Sequence, residues 1–234
     1  MELFETTLSA VYGGKVLDVA TGRGDFIECI SRFQHLISIT ALDKLSEPEG
    51  FTAQFAPLTV QYATGDAKCL PFENASFDTV CISNSLHHMQ DPNIVLNEML
   101  RVLKPSGTFI VNEMYSDTND EQRLTHVLLH HWWGSIDSAV GVTHNITYTK
   151  NDLKTIFSSL AVEEISTVDY SYPAETLSDE QISHLLNGCD RYLERVKIKG
   201  LDSSLIKTGE ELKQRVIDIG FASAPSLLFI GKKA

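Results

Sequence analysis

The chain carries no apolar run of membrane-spanning length, and its first residues lack the charged start and apolar stretch of a signal peptide. Cysteine is scarce and scattered: Cys29, Cys69, Cys81 and Cys189 form no Cys-x-x-Cys pair, and three of them fall in expected helix or strand. Free cysteine in such segments behaves as a small hydrophobe, which suits a reducing compartment better than a disulfide framework. A cytoplasmic location is therefore expected. Positive charge is short as well, with 19 Lys and Arg against 31 Asp and Glu and a formal net charge of −12. The longest basic clusters are Lys197 with Lys199 and Lys232 with Lys233. Such a surface repels phosphate backbones, so nucleic acid is disfavoured as a partner. There is no internal repeat and no low-complexity tract. The 234 residues suffice for one sizeable α/β domain rather than two.

What the chain does hold is the composition of a globular core, with 43% apolar and 9% aromatic residues. Its first half alternates short apolar runs with amphipathic ones, the pattern of βαβ units around a parallel sheet. Strands are expected at Lys15–Ala20, Leu36–Asp43, Val60–Thr64, Phe77–Ser83 and Thr108–Met114. Between the first two, Phe26, Ile27, Ile30 and Phe33 recur at helical spacing. Asp91-Pro92 caps a helix that runs to about Leu103 and stops before the turn Lys104-Pro105-Ser106-Gly107. The second half is less regular. Thr118–Glu121 reads as a capping box opening a helix through about Trp132, and another helix follows Thr149. Val162–Tyr170 alternates like a strand. Ser178–Gln181 opens a helix to about Lys199, Ser204–Ile219 forms a further helix ended by Gly220, and Ser226–Lys232 is a final strand. The expectation is a single domain over 1–234, with 115–150 and 172–221 as substrate-side helical elements or a lid.

Val16–Phe26 is the most informative segment. An apolar strand runs into Gly22-Arg23-Gly24 and then into an amphipathic stretch, and glycines there let a ligand approach the backbone. The third glycine of the dinucleotide fingerprint would sit at Ile27 and is missing. Asp18 lies inside the strand, where a carboxylate is costly without a partner; a cationic ligand would supply one. Asp43 ends the second strand, 19 residues beyond Gly24. A carboxylate in that place accepts both ribose hydroxyls at once.

These residues, together with Gly65-Asp66-Ala67 and Leu70-Pro71-Phe72, then Phe77-Asp78-Thr79-Val80 leading to Ser85-Leu86-His87-His88, and Leu103–Thr108, resemble the class I S-adenosylmethionine-dependent methyltransferases. The branch typified by ubiquinone and menaquinone biosynthesis methyltransferases is the nearest in pattern, over about Lys15 to Met114. The resemblance implies a Rossmann-like three-layer sandwich, with a seven-stranded, mostly parallel sheet, an antiparallel last strand and a helical insertion before it. It also implies S-adenosylmethionine as cofactor and in-line methyl transfer to a small-molecule acceptor. Gly22 and Gly24 would admit the methionine part, with Ala20 beside them, and Asp18 would position its ammonium group. Asp43, followed by Lys44, would hold the ribose; Asp66 would accept from the adenine amino group, with Ala67 against the ring. Ser83 and Asn84 would face the methionine portion and sulfonium. The segment before the first strand is short for this family, so closure of the site falls to Met1–Tyr12 or to the later insertion.

The sulfonium is already activated, so alignment and exclusion of water carry most of the rate, on the order of 7–11 kcal/mol in favourable cases. A general base is needed only for an acceptor with a high pKa. His88 and Glu113 are the candidates for that catalytic role, with His87, His130 and Trp132 as candidate substrate contacts. His126 and His130 are one helical turn apart, and Asp137 and His144 lie beyond. The i, i+4 histidines suit a zinc site, but no His-Glu-x-x-His pattern accompanies them, and no metal is expected. A mixed aromatic and polar wall over the sheet edge is the favoured reading of that cluster. The rival functions are a nicotinamide-dependent oxidoreductase, a non-catalytic S-adenosylmethionine-binding module, and methylation of a protein. The missing third glycine opposes the first, and the joint presence of Asp18, Asp43 and Asp66 opposes the second. A homodimer is left open.

Overall fold

The computed structural model describes residues 1–174 and 177–234. Its elements are α1 (Glu2–Ser9), β1 (Tyr12–Val19), α2 (Ile27–Ile30), β2 (Gln34–Asp43), β3 (Val60–Thr64), β4 (Phe77–Ser83), α3 (Pro92–Val102) and β5 (Leu103–Met114). They continue with α4 (Glu121–Ala139), α5 (Lys150–Ser158), β6 (Val162–Tyr170), α6 (Asp179–Lys199), α7 (Ser204–Asp218) and β7 (Ser226–Lys233). The seven strands form one sheet in the order β3-β2-β1-β4-β5-β7-β6. Neighbours from β3 through β5 pair in parallel, whereas β7 runs antiparallel to both β5 and β6. The expected Rossmann-like sandwich, with its reversed last strand, is the observed fold.

Alternation along the strands makes two cores. Leu17, Val19, Val80, Ile82, Phe109 and Val111 point to one face, where Val95, Leu96 and Met99 of α3 and Leu153 and Phe157 of α5 cover them. Val16, Cys81, Ile110 and Leu228 point to the other, under Phe4 and Leu8 of α1 and Ile27 and Ile30 of α2. A third cluster stands apart from the sheet faces: Leu129, Trp132 and Ile136 of α4 pack against Leu193 and Val196 of α6 and Leu212 and Val216 of α7. This helical layer is anchored at the carboxyl ends of the strands, where Met114 packs with Val127 and Ala224.

Several expected boundaries shift. The helical spacing from Phe26 to Phe33 yields only the single turn of α2, so the glycine loop leads into loop backbone rather than a long helix. Asp120, not Thr118, caps α4: its side chain accepts from the Arg123 N–H, while Thr118 Oγ1 accepts from the Asp120 N–H. The helix also runs past Trp132 to Ala139 because Ile136 continues its buried stripe. Ser106 and Gly107, expected in a turn, belong to a β5 that begins at Leu103. The capping boxes at Thr149 and Ser178 form as expected, and Gly200 ends α6 in the left-handed conformation. The N-terminal helix does not close the site. It lies on a sheet face, with Phe4 stacked on Tyr170 at 4.1 Å. The insertion expected over 172–221 forms α6 and α7, with Glu175 and Thr176 outside the described residues. No helix among the described residues is long and apolar enough to cross a membrane.

Candidate active site

At the end of β1 the backbone turns through three left-handed residues, Ala20 (φ 55°), Gly22 (φ 56°) and Gly24 (φ 85°). For Ala20 that conformation costs roughly 1–2 kcal/mol. The turn is held by neighbouring strands: the Thr21 N–H donates to the Leu42 carbonyl at 3.0 Å, and Ser85 Oγ donates to the Ala20 carbonyl at 3.2 Å. The two glycines are there for different reasons. A Cβ on Gly24 would collide with the Phe55 ring, which packs over the turn, whereas a Cβ on Gly22 would meet no atom within 4 Å. Gly22 thus borders open space that a ligand can enter.

That space is a cleft of about 190 Å³ whose lining includes Asp18, Ala20, Gly22, Ser83, Asn84 and Ser85. Ligand sites usually span about 300–1,000 Å³, so the cleft has room for one end of a cofactor. Asp18 is 1% exposed, accepting from Thr21 Oγ1 at 2.6 Å and from Cys81 Sγ at 3.5 Å. Burial pushes its carboxyl up to about 6, against hydrogen bonds from Thr21 and Cys81 that hold it down. No cation pairs with it among the described residues, and an ammonium group brought into the cleft would supply that missing charge. Opposite, Ser83 and Asn84 are braced by β5. Asn112 Nδ2 donates to Ser83 Oγ at 2.9 Å, the Asn84 N–H to the Asn112 carbonyl at 2.8 Å, and the Met114 N–H to Asn84 Oδ1 at 3.1 Å. Asn84 too is left-handed, at φ 43°.

Asp43 and Asp66 stand outside this cleft along the same edge of the sheet. Asp43 accepts the Gly22 N–H at 2.9 Å on one oxygen and the Leu45 N–H at 3.0 Å on the other, tying the end of β2 to the glycine turn. Asp66 is exposed and accepts the Lys68 N–H at 2.9 Å, while Ala67 is buried and Lys44 is exposed. The residues present therefore fit S-adenosylmethionine: a buried carboxylate without a cation, a glycine facing open space, and two further carboxylates on the edges of the next two strands.

Beyond Asn84 the chain makes a 3-10 turn at Leu86–His88, and the histidines gather. His87 is buried, and its Nδ1 donates to Glu113 Oε1 at 2.9 Å. The direction follows from Glu113, which already accepts from the Leu86 and Met114 N–H groups. His144 Nδ1 donates likewise to Asp137 Oδ2 at 2.8 Å, and Asp137 also accepts from Arg195 Nη1 and Tyr192 Oη. His88 lies exposed at the rim. Loss of hydration, then His87 and His144, lowers it to about 4. Burial and the neighbouring His87 push His130 far down as well. The ring centroids of His87 and His130 are 4.7 Å apart, those of His130 and His144 4.6 Å, and those of His88 and His144 4.2 Å.

Two expected roles change with this geometry. Trp132, expected against substrate, is 3% exposed in the α4–α6–α7 core, where its Nε1 donates to the Leu205 carbonyl and its ring fills the space left by Gly209. Glu113, expected as a base at the acceptor, lies wholly buried behind His87 with both oxygens accepting, so it holds His87 rather than reaching a substrate. The helical pair also divides. His126 Nδ1 accepts from the Ala224 N–H and its ring faces Phe221, while His130 turns to the cluster. His144, Asp137, Thr21 and Ser85 received no role from the sequence. The strand-end position of Thr21, two residues past Val19, was the one local signal for any of them.

Comparison with known proteins bears on the first half of this site. Residues 17–111 match the family model for a methyltransferase domain. A demethylmenaquinone methyltransferase of Renibacterium salmoninarum is 37% identical over 111 residues, covering 47% of this chain and 46% of that protein. The ubiquinone/menaquinone biosynthesis C-methyltransferase UbiE of Saccharophagus degradans is 32% identical over 123 residues, covering 50% and 49%. The chain thus spans about half the length of the curated relatives it matches. A solved structure from Bacillus halodurans superposes with a TM-score of 0.61 at 21% identity, covering 98% of this chain and 96% of that one, a likeness of fold. The resemblance carried by the motifs is borne out: residues 17–111 match the model for a methyltransferase domain, and the chain shares the fold of that solved structure.

Proposed function

We propose that the protein binds S-adenosylmethionine along the carboxyl ends of β1 to β4 and transfers its methyl group to a small-molecule acceptor. The observation that carries this reading is the cleft at Gly22, with the buried and cation-free Asp18 at its floor. When bound, the cofactor supplies an activated methyl on a sulfonium. Asp18 would take the ammonium group and Asn84 the methionine portion, while Asp43 would hold the ribose and Asp66 the adenine amino group. Ser83 and Ser85 bound the cleft on the side that leads to His87 and His88, so the acceptor would lie between that turn and α4. His88, neutral at pH 7 and exposed, is the ring that can take a proton from an acceptor, although a base lowered to about 4 serves only an already acidic one. The helical layer of α4, α6 and α7 would form the acceptor-side wall. The relatives are named for demethylmenaquinone and for ubiquinone/menaquinone biosynthesis, and the family match ends at residue 111, before this wall begins. The acceptor is therefore proposed only as a small molecule.

Calorimetric titration with S-adenosylhomocysteine tests the reading, with NAD as control. Micromolar binding to the wild type, at least about tenfold weaker in Asp43→Ala and absent for NAD, is expected. Equal affinity in the variant, or preference for NAD, would sink it.

A further inference from the structure

The four histidines that meet beneath α4 form a donor set of which the methyl transfer proposed above uses only His88, and that only while no metal holds its free nitrogen. One ring nitrogen from each of His87, His88, His130 and His144 lies within 4.8 Å of the others. Tetrahedral zinc with nitrogen at about 2.0–2.1 Å places its ligands about 3.3–3.4 Å apart. His144 Nε2 is already 3.4 Å from His130, equally far from both nitrogens of that ring, so no single N–H is aimed at it. An independent observation points the same way. His87 Nε2 is buried, faces this space and has no hydrogen-bond partner among the described residues. A buried nitrogen left so costs roughly 1–3 kcal/mol unless something meets it.

The groups behind the rings complete the pattern. Glu113 accepts a hydrogen bond from the His87 Nδ1–H and Asp137 one from the His144 Nδ1–H, which fixes both tautomers and leaves both Nε2 lone pairs facing inward. Carboxylates that orient histidines in this way are the usual outer shell of a metal site. They also answer part of its charge: imidazole ligands are neutral donors, and Glu113 and Asp137 supply negative charge behind them, with Arg195 on the far side of Asp137 reducing its share. Magnesium and calcium prefer oxygen ligands, whereas imidazole nitrogen suits zinc and its neighbours. We propose that His87, His130 and His144 bind a divalent transition metal ion of the zinc type, with the exposed His88 as the fourth, exchangeable ligand.

The site stands whether or not the methyl-transfer reading does, because it is read by metal binding alone. The test uses the full chain, stripped with a chelator and dialysed, then titrated with Zn²⁺ by calorimetry and with Co²⁺ by visible absorption. One equivalent of Zn²⁺ is expected to bind with Kd below about 0.1 μM, and Co²⁺ to give the intense bands of a four-coordinate ion. His87→Ala and His144→Ala should each weaken Zn²⁺ at least about 100-fold, and Asp137→Asn about 10–100-fold. His88→Ala, at the exposed rim and harmless to folding, should shift the Co²⁺ bands. His35→Ala, on β2, should change nothing. Wild-type binding no tighter than that of His144→Ala, or Co²⁺ bands unmoved by His88→Ala, would overturn the site.

Discussion

The cleft beside Gly22 and the histidine cluster under α4 are neighbours built in opposite ways. The cleft is made of backbone: the ends of adjacent parallel strands bring Ala20, Gly22 and Asn84 together in left-handed conformations, and the carboxylates sit at strand ends. The cluster is made of side chains from the loop after β4, from α4 and from the loop after α4, and it holds only while those packed elements keep their places. A site of the first kind survives loosening of the helical layer. One of the second kind does not. Parallel strands thus make a cleft at their ends almost automatically, whereas the histidine cluster depends on tertiary packing that can vary independently.

The largest test of that contrast is Trp132→Ala. Emptying a buried indole from the α4–α6–α7 core should cost about 3–5 kcal/mol, seen as a lower urea midpoint and faster proteolysis within α6 and α7. S-adenosylhomocysteine affinity should change less than about threefold; loss of both together would mean that the two regions fold as one. A smaller effect of opposite sign is expected for Asp18→Asn. The folded carboxyl titrates near 6, above its unfolded value of about 3.8, so ionisation costs stability as pH rises between those values and fully above 6. The variant should therefore be more stable than wild type by on the order of 3 kcal/mol at pH 8, with no gain below about pH 4, while binding the cofactor more weakly. Denaturant melts at both pH values check the sign. Smallest is the split between the glycines. Gly24→Ala should cost about 1–3 kcal/mol, because Phe55 and a φ of 85° both oppose a side chain. Gly22→Ala should cost about 1 kcal/mol of stability and lose most of its cofactor affinity. The reverse order would mean that Gly22 does not face the ligand.

What could be read from the sequence follows the same division. The strands Val60–Thr64, Phe77–Ser83 and Val162–Tyr170 have the expected bounds, because alternation and buried apolar runs are local signals. The places of Asp18 and Asp43 in their strands, and of the glycines in the turn, were legible because strand ends and turns carry their own spacing. Trp132 was misplaced because nothing local distinguishes an indole facing a substrate from one filling the space above Gly209, 77 residues away. The pairing of His130 with His87 and His144, rather than with His126, needed the turn of α4 over the sheet and the path of the chain back beneath it. Helical spacing reports which residues share a face and is silent on what that face meets.

The antiparallel β7 has a consequence for how the chain is made. It lies between β5 and β6, so once β6 has left the ribosome both of those strands still present an unpaired edge. About 55 residues must follow before Ser226–Lys233 can fill the gap, which at ribosomal speed takes roughly 3–11 s. During that interval β5 has an open edge and β6 has no partner strand, the form most prone to pair with other chains. Synthesis of α6 and α7 is therefore also a waiting time, and sequences that shorten or slow it should alter the soluble yield before they alter the finished fold.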